Sequence, residues 1–242
     1  MMPDYPPGKW SPALVGAQWV SITAVTALNN AIANRGTIQT NFTQLHDTLQ
    51  NAITTALAGQ DGVTADAILD AFREGADQAA KIAEKNGAYK KALQKALDSV
   101  QHLREKLTAI AKDSNKQIDD ELQSKDDFEI KVAKIAKIIA DCQRQANQAA
   151  GHSAFEVIAS GQKVMDAQGT GQSFFGMAQD AGIDANHQPN EKALEDQVRG
   201  MLNQPAGPMA GGGGNTVPSA TPATRIAHGS LVLRASRSLP SV

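Results

Sequence analysis

Apolar residues recur along most of this chain at three- and four-residue steps, the spacing typical of amphipathic helices. The first series lies in a segment with few charged residues and consists of Ile38, Phe42, Leu45, Leu49, Ile53 and Leu57. We expect Ser21 or Thr23 to cap the start of this helix, because either hydroxyl can accept a hydrogen bond from a backbone N–H group. Asn34-Arg35-Gly36 is expected to kink or divide it. Gly59-Gln60-Asp61-Gly62 is expected to end it, since glycine adopts the left-handed conformation.

A second helix is predicted from Thr64, and its apolar positions become a heptad seam in its second half. The seam consists of Tyr89, Leu93, Ala96, Val100, Leu103, Leu107 and Ile110. Alternating steps of four and three residues keep one stripe of a supercoiled helix facing its partner. Polar residues at 112–117 interrupt the seam, and the acidic segment 119–127 is predicted to be a turn.

A third apolar series consists of Phe128, Val132, Ile135, Ile139 and Cys142. Gly151-His152-Ser153 is expected to break this helix, because Ser153 and Glu156 have the spacing of a capping box for a new one. Shorter helices are predicted between 153 and 203, the last of them at 190–203. The chain is therefore predicted to be all-α, an elongated antiparallel helical bundle with a coiled-coil seam.

Composition divides the chain into three regions. Residues 1–20 form an arm that contains prolines and both tryptophans, residues 21–204 form the bundle, and residues 205–242 form a Gly/Pro-rich tail. The tail is predicted to be disordered, because it can bury too little apolar area to offset its ordering entropy. Much of the apolar content is alanine, which favours helix and close helix packing but buries little area.

Charge and hydropathy restrict the partners and the location. The formal net charge is -2, so bulk electrostatics does not favour nucleic acid. The N-terminus lacks the basic start and apolar run of a secretory signal, and we expect no integral membrane segment. The chain is predicted to be secreted or at the cell surface by a signal-peptide-independent route, or alternatively cytoplasmic.

Candidate chemistry is sparse. Cys142 occupies an apolar helical position, which favours a buried packing residue over a reactive thiol. The acidic clusters at 119–121 and 126–127 lack the spacing and the glycine of a calcium loop. The two glycines of 169–175 lack the strand and the Gly-Lys-Ser/Thr of a phosphate-binding loop. The five histidines have no ligand spacing. We therefore predict no catalytic, cofactor or metal site.

Two features suggest contact with other molecules. Lys131, Lys134 and Lys137 form a basic stripe, which is either a membrane-surface contact or, more simply, a solvated face beside neighbouring acidic residues. Trp10 and Trp19 either close one end of the bundle or anchor a protein partner, because tryptophan is enriched at binding hot spots.

The segment Ala13-Leu-Val-Gly-Ala-Gln-Trp19 followed by long helices resembles the N-terminal modules of actinobacterial type VII (ESX) secretion substrates, which include WXG100, PPE and toxin-leader proteins. Gly16 and Trp19 match the Gly-x-x-Trp element, and Gly211–Gly214 matches the linker. Two family features are absent. Neither Tyr5 nor Tyr89 is followed four residues later by Asp or Glu, and Trp19 is followed by Val20-Ser21 rather than by a Trp-x-Gly turn. The resemblance then implies that a heterodimer partner supplies the export signal.

These observations support two hypotheses. The first is a non-enzymatic, type VII secretion-associated helical protein that docks onto a partner helix or onto itself, with Trp10, Gly16 and Trp19 as partner-docking residues. The alternative is a cytoplasmic coiled-coil scaffold or adaptor with no export role, which the heptad seam and the Lys/Glu-rich surface support.

Overall fold

Residues 4–168, 173, 176 and 190–203 are described by the computed structural model, and every regular element among them is an α-helix. The helices are α1 (Ser11–Val15), α2 (Ile22–Thr54), α3 (Val63–Gln123), α4 (Phe128–Gln168) and α5 (Glu191–Asn203). The predicted all-α class is therefore confirmed. The predicted tail at 205–242 and the glycine pair at 169–171 lie outside the described residues.

The described residues belong to two units. Unit 1 contains residues 4–24, 100–155, 176 and 190–203, and unit 2 contains residues 25–99, 156–168 and 173. The boundary cuts through the long helices α2, α3 and α4, so each of these helices contributes one part to unit 1 and another to unit 2.

In unit 1, α1, α5 and parts of α3 and α4 surround one apolar core. Lys131 and Lys134 of α4 contact Leu122 and Glu121 of α3, and this register makes the two helices antiparallel. The core contains Trp10, Leu14, Val15, Val20, Leu103, Leu107, Ala111, Ile118, Val132, Ile135, Ala136, Ile139, Ala140, Cys142, Ala146, Leu194 and Val198. Twelve of these seventeen residues are Leu, Val, Ile or Trp.

In unit 2, α2 packs antiparallel to α3. Leu49 lies beside Gly75, whereas fourteen positions earlier Arg35 donates a hydrogen bond to Asn86. The buried apolar residues of unit 2 are mainly alanines of α3, and Val25 is the one buried residue of α2. A Cβ at Gly75 would lie 3.3 Å from Leu49, so the glycine allows the two helices to approach closely.

The start and end of α2 agree with the sequence-based prediction, but its middle is not divided as predicted. The Ser21 hydroxyl accepts a hydrogen bond from the Ala24 N–H at 3.3 Å, as a helix cap does. Gly59 and Gly62 in the turn after α2 have φ angles of 78° and 115°, the left-handed conformation that was expected. The division of the helix predicted at 34–36 does not occur, because α2 is continuous there. The Arg35 guanidinium carbon lies 4.8 Å from the centroid of the Tyr89 ring, and this contact connects this turn of α2 to α3.

The heptad seam faces inward as predicted. Each of its seven residues, from Tyr89 to Ile110, is buried or half-buried. The polar residues that follow the seam do not end the helix, since α3 continues to Gln123. Two of them, Ser114 and Asn115, are themselves buried. The turn between α3 and α4 is therefore confined to residues 124–127, shorter than the predicted 119–127.

Two further boundaries differ from the prediction. The break at 151–153 is wrong, since α4 is continuous to Gln168 and Ser153 is a buried residue in its interior rather than a cap. The N-terminal arm at 1–20 contains the short helix α1, with Pro12 in its first turn, where a missing N–H costs nothing. The last predicted helix is confirmed as α5, which begins after Asn190.

Leu107 offers a direct test of the unit 1 core. Its side chain is fully buried, so Leu107→Ala should lower the free energy of unfolding by about 2–5 kcal/mol through lost burial and a residual cavity. Both tryptophans belong to unit 1, so denaturant unfolding followed by tryptophan fluorescence reports on this unit. Ile130→Ala is the control, because Ile130 is 48% exposed and its loss should change the free energy by less than about 0.5 kcal/mol. Equal effects of the two substitutions would contradict this core.

Candidate functional site

The N-terminal segment carries the three residues predicted to dock a partner, and it is held inside unit 1. Trp10 is 1% exposed and belongs to the core. Its backbone N–H donates to Asn115 Oδ1 at 3.0 Å, and Asn115 Nδ2 donates to Ser11 Oγ at 3.1 Å and to the Ala111 carbonyl at 2.7 Å. The side chain of Asn115 therefore connects α3 to the start of α1.

A second set of contacts places α1 along α4. The Gln143 side chain donates to the Ala13 carbonyl at 2.8 Å, and the Cys142 thiol donates to the Leu14 carbonyl at 3.6 Å. Gln18 also contacts Asn147. Burial raises the pKa of Cys142, although a hydrogen bond with Ser114 partly opposes this. Cys142 is therefore a buried packing residue, as its position in the sequence predicted.

Gly16 lies at the end of α1, and its N–H donates to the Pro12 carbonyl at 3.1 Å. A Cβ at this position would clash with that carbonyl oxygen, so glycine is needed for the chain to leave α1 in this way. The glycine of the Gly-x-x-Trp element consequently has a local structural cause in this chain.

Trp19 takes part in a polar cluster that we call the Asp4 clasp, which consists of Asp4, Trp19 and Arg104. The Trp19 indole N–H donates to Asp4 Oδ1 at 3.3 Å, and Arg104 pairs with Asp4 Oδ2 at 2.9 Å. The Arg104 guanidinium also lies 4.3 Å from the Trp19 ring centroid, a cation–π distance. Asp4 Oδ2 accepts the Ile22 N–H at 2.9 Å and so helps to cap α2.

The charge of Asp4 depends on these contacts. Partial burial alone would raise the pKa of Asp4, but hydrogen bonds from Arg104 and Ile22, the charge of Arg104 and the Trp19 indole together lower it below its usual 3.8. Asp4 is thus favoured in its ionised form, which is also the form that caps α2 and pairs with Arg104.

The three predicted docking residues therefore have different environments. Trp10 is covered by its own core, in agreement with the packing interpretation, and Trp19 is half-buried in the Asp4 clasp. The indole N–H of Trp10 has no hydrogen-bond partner among the described residues. A docking role for Trp10, Gly16 and Trp19 stays a prediction.

A different surface stands out on α2. The α2 outer stripe is a row of six exposed residues at three- and four-residue steps, on the face opposite the apolar residues that pack against α3: Ala33, Thr37, Thr40, Gln44, Asp47 and Asn51. Asp47 is its one charged member. The only other Lys, Arg, Asp or Glu of α2 is Arg35, which packs on Tyr89. Surface helices usually have charged outer faces, and this stripe departs from that rule.

The stripe contains a shallow groove of about 410 Å³. Ala33, Gly36 and Thr40 form much of its lining, together with Lys90 of α3. The Lys90 ammonium lies 3.5 Å from the place where a Gly36 Cβ would be, so the lysine extends alongside α2. Sequence reasoning identified the low charge of this segment, but it assigned no role to Lys90.

The basic stripe at 131–137 is partly neutralised by its neighbours. Lys134 Nζ lies 2.6 Å from Asp126 and 3.2 Å from Glu121, and the hydrogen bond with Lys134 lowers the pKa of Asp126. Lys131 donates to the Leu122 carbonyl. These contacts fit a solvated face better than a surface for anionic lipid.

The described residues contain neither a cluster of metal ligands nor a membrane-spanning helix. No three His, Cys, Asp or Glu side chains within those residues are grouped so that they could hold a metal ion. None of the described helices contains an apolar stretch of the length and hydropathy required to cross a bilayer.

Comparison with known proteins places the chain beside one uncharacterised protein. It is 30% identical over 214 residues to the uncharacterised protein Rv2082 of Mycobacterium tuberculosis. The match covers 86% of this chain but 28% of Rv2082. No protein-family model matches the chain, and no solved structure matches it significantly.

The Asp4 clasp predicts an acid-sensitive contribution to stability. Because the pKa of Asp4 is lowered in the folded chain, its ionised form stabilises the fold above the unfolded-state pKa. This contribution is lost as the pH falls through the folded-state pKa. Asp4→Asn should therefore cost about 1 kcal/mol of unfolding free energy near neutral pH, and the cost should shrink in acid.

Urea unfolding by tryptophan fluorescence, repeated from neutral pH down to below pH 3.8, measures this difference. Asp61→Asn is the matched control, since Asp61 is exposed in the turn between α2 and α3 and should show no such difference. A penalty for Asp4→Asn that is the same at every pH would rule out the role of the ionised carboxylate.

Proposed function

We propose that this chain is a non-enzymatic helical docking protein that binds another protein helix through the α2 outer stripe. The supporting observation is the composition of that stripe: over six exposed positions it has one charged residue, Asp47, among Thr, Gln, Asn and Ala. The exposed positions of α3 in the same unit contrast with it, because they carry Asp70, Glu74, Lys81 and Lys91.

Physical reasons connect this composition to docking. The cores of protein interfaces are depleted in charged residues, because removing an ion from water is costly unless it is paired. Threonine and alanine also lose less side-chain entropy than lysine or glutamate when they are covered. Small side chains around the groove allow a second helix to approach closely, since interaxial distance depends on the residues at the contact.

We further propose that the docking serves type VII secretion, with export of the chain in a complex whose partner supplies the signal. This step rests on the Gly16…Trp19 element and on the long helices that follow it, as in the secretion substrates that the sequence resembles. The proposed location is outside the cell or at its surface.

The coiled-coil scaffold is the weaker alternative. A scaffold of that type would offer its heptad seam to a partner, whereas all seven seam residues are buried or half-buried within this chain. The surface that we propose for a partner is the α2 outer stripe, which has no heptad pattern of large apolar residues.

Adding charge to the stripe tests the docking surface. The chain co-expressed with the products of neighbouring genes should form a complex of defined mass by light scattering. The double substitution Thr40→Lys and Gln44→Lys should weaken this complex at least about tenfold, because two ammonium groups lose water without a partner.

Ala80→Lys is the control, since Ala80 is an exposed residue of α3 in the same unit and its substitution should leave binding unchanged. Circular dichroism should show equal helix content in all variants. Docking through this stripe is contradicted if the doubly substituted chain binds as tightly as the original, or if the chain associates with neither a neighbouring gene product nor itself.

Export can be tested separately in the producing organism. An epitope-tagged chain should appear in the culture filtrate or cell wall, and disabling the secretion machine should retain it in the cytosol. A cytosolic protein released by lysis serves as the control. An identical distribution in both strains would reject the secretion role, and it would leave the docking proposal intact.

A further inference from the structure

Two charged residues, Asp47 and Lys90, lie along the α2 outer stripe at different positions on the helix axis. Asp47 is a member of the stripe, with its side chain 67% exposed, and one of its oxygens, Oδ1, lies 3.0 Å from His46 Nδ1. Lys90 is also exposed and lies beside the stripe at the height of Gly36. Neither residue forms a salt bridge with an oppositely charged Lys, Arg, Asp or Glu of the described part of the chain.

These two charges lie on the same side of the stripe. Gly36 and Asp47 are eleven positions apart, which is close to three full turns of an α-helix. Lys90 and Asp47 therefore lie along one edge of the stripe, about 16 Å apart along the helix axis. The residues of the stripe between them are uncharged.

We propose that the α2 outer stripe pairs with the same stripe of a second copy of this chain, antiparallel and around a two-fold axis near Asn41. This inference rests on the docking function proposed above and identifies the docked helix as a second copy. A two-fold axis midway between Gly36 and Asp47 brings Asp47 of each copy level with Lys90 of the other. One register thus forms two equivalent ion pairs.

Self-pairing is compatible with the charges of this surface. An isologous interface sets each patch against its own copy, so a patch rich in one sign of charge would repel itself. The stripe avoids this repulsion because its one carboxylate meets an ammonium group rather than another carboxylate. Another register would set Asp47 against threonine or glutamine and would forgo both pairs, so the charges select the alignment.

The size of the contact sets the expected strength. The paired segments of α2 would overlap along about 40 Å and across about 10 Å. This contact covers about 400 Å² of each copy, which is at the low end for specific protein interfaces. We therefore expect a reversible dimer whose population rises with concentration. A tighter association with a different protein would compete for the same stripe.

A charge swap on the full chain tests the pairing. Sedimentation equilibrium over a range of concentrations gives the dimer Kd of the original chain, of Asp47→Lys, of Lys90→Asp and of the chain with both changes. Each single change should raise Kd about tenfold, because it sets like charges together twice in each dimer. The double change should restore Kd to within about threefold, since both ion pairs reform with reversed polarity.

Lys91→Asp is the matched control, because it makes the same change of charge one position away, on α3, and should leave Kd unchanged. An original chain that stays monomeric at its highest soluble concentration would overturn the pairing with a second copy. If that monomer binds a neighbouring gene product through the stripe, the docking function survives while this inference fails. A dimer that is indifferent to the single changes, or that the double change fails to restore, would also overturn it.

Discussion

The structure of unit 1 depends on the hydrogen bonds of one buried side chain, Asn115. A buried amide without partners is costly, and this one is satisfied by the Trp10 backbone, the Ser11 hydroxyl and the Ala111 carbonyl. Two of these partners belong to the N-terminal segment, so the amide fixes where that segment lies on α3. Once α1 is fixed, Trp10, Leu14 and Val15 complete the core, and Asp4 and Trp19 reach the start of α2.

The sequence predicted the elements that local chemistry determines. The inward face of α3, the hydroxyl cap at Ser21 and the left-handed glycines at 59 and 62 all depend on a few neighbouring residues, and all are present. The errors lie where tertiary contacts outweigh local preference. Arg35 on Tyr89 keeps α2 continuous through Gly36, and buried Ser153 lies inside α4 where a cap was expected. Local signals contain no information about such partners.

In the candidate site, too, some features could be predicted from the sequence and others depend on tertiary contacts. The low charge of α2 is visible in the sequence, and so is the Gly16…Trp19 spacing. However, the position of Lys90 beside Gly36 and the contact of Trp19 with Asp4 and Arg104 require the folded chain. The two units also differ in the size of the side chains that they bury. Unit 1 fills its core with large side chains, whereas α2 in unit 2 buries little and exposes an uncharged face.

The burial of Cys142 has a practical consequence. It is the single cysteine of the chain, and its thiol is enclosed between α4 and the Leu14 carbonyl. A thiol-specific reagent can reach it only when α1 lifts away or unit 1 opens, because the buried thiol is both inaccessible and protonated. The rate of labelling thus measures the local opening of this region. Labelling faster than the loss of helical circular dichroism would indicate detachment of the N-terminal segment rather than global unfolding, and no engineered cysteine is needed.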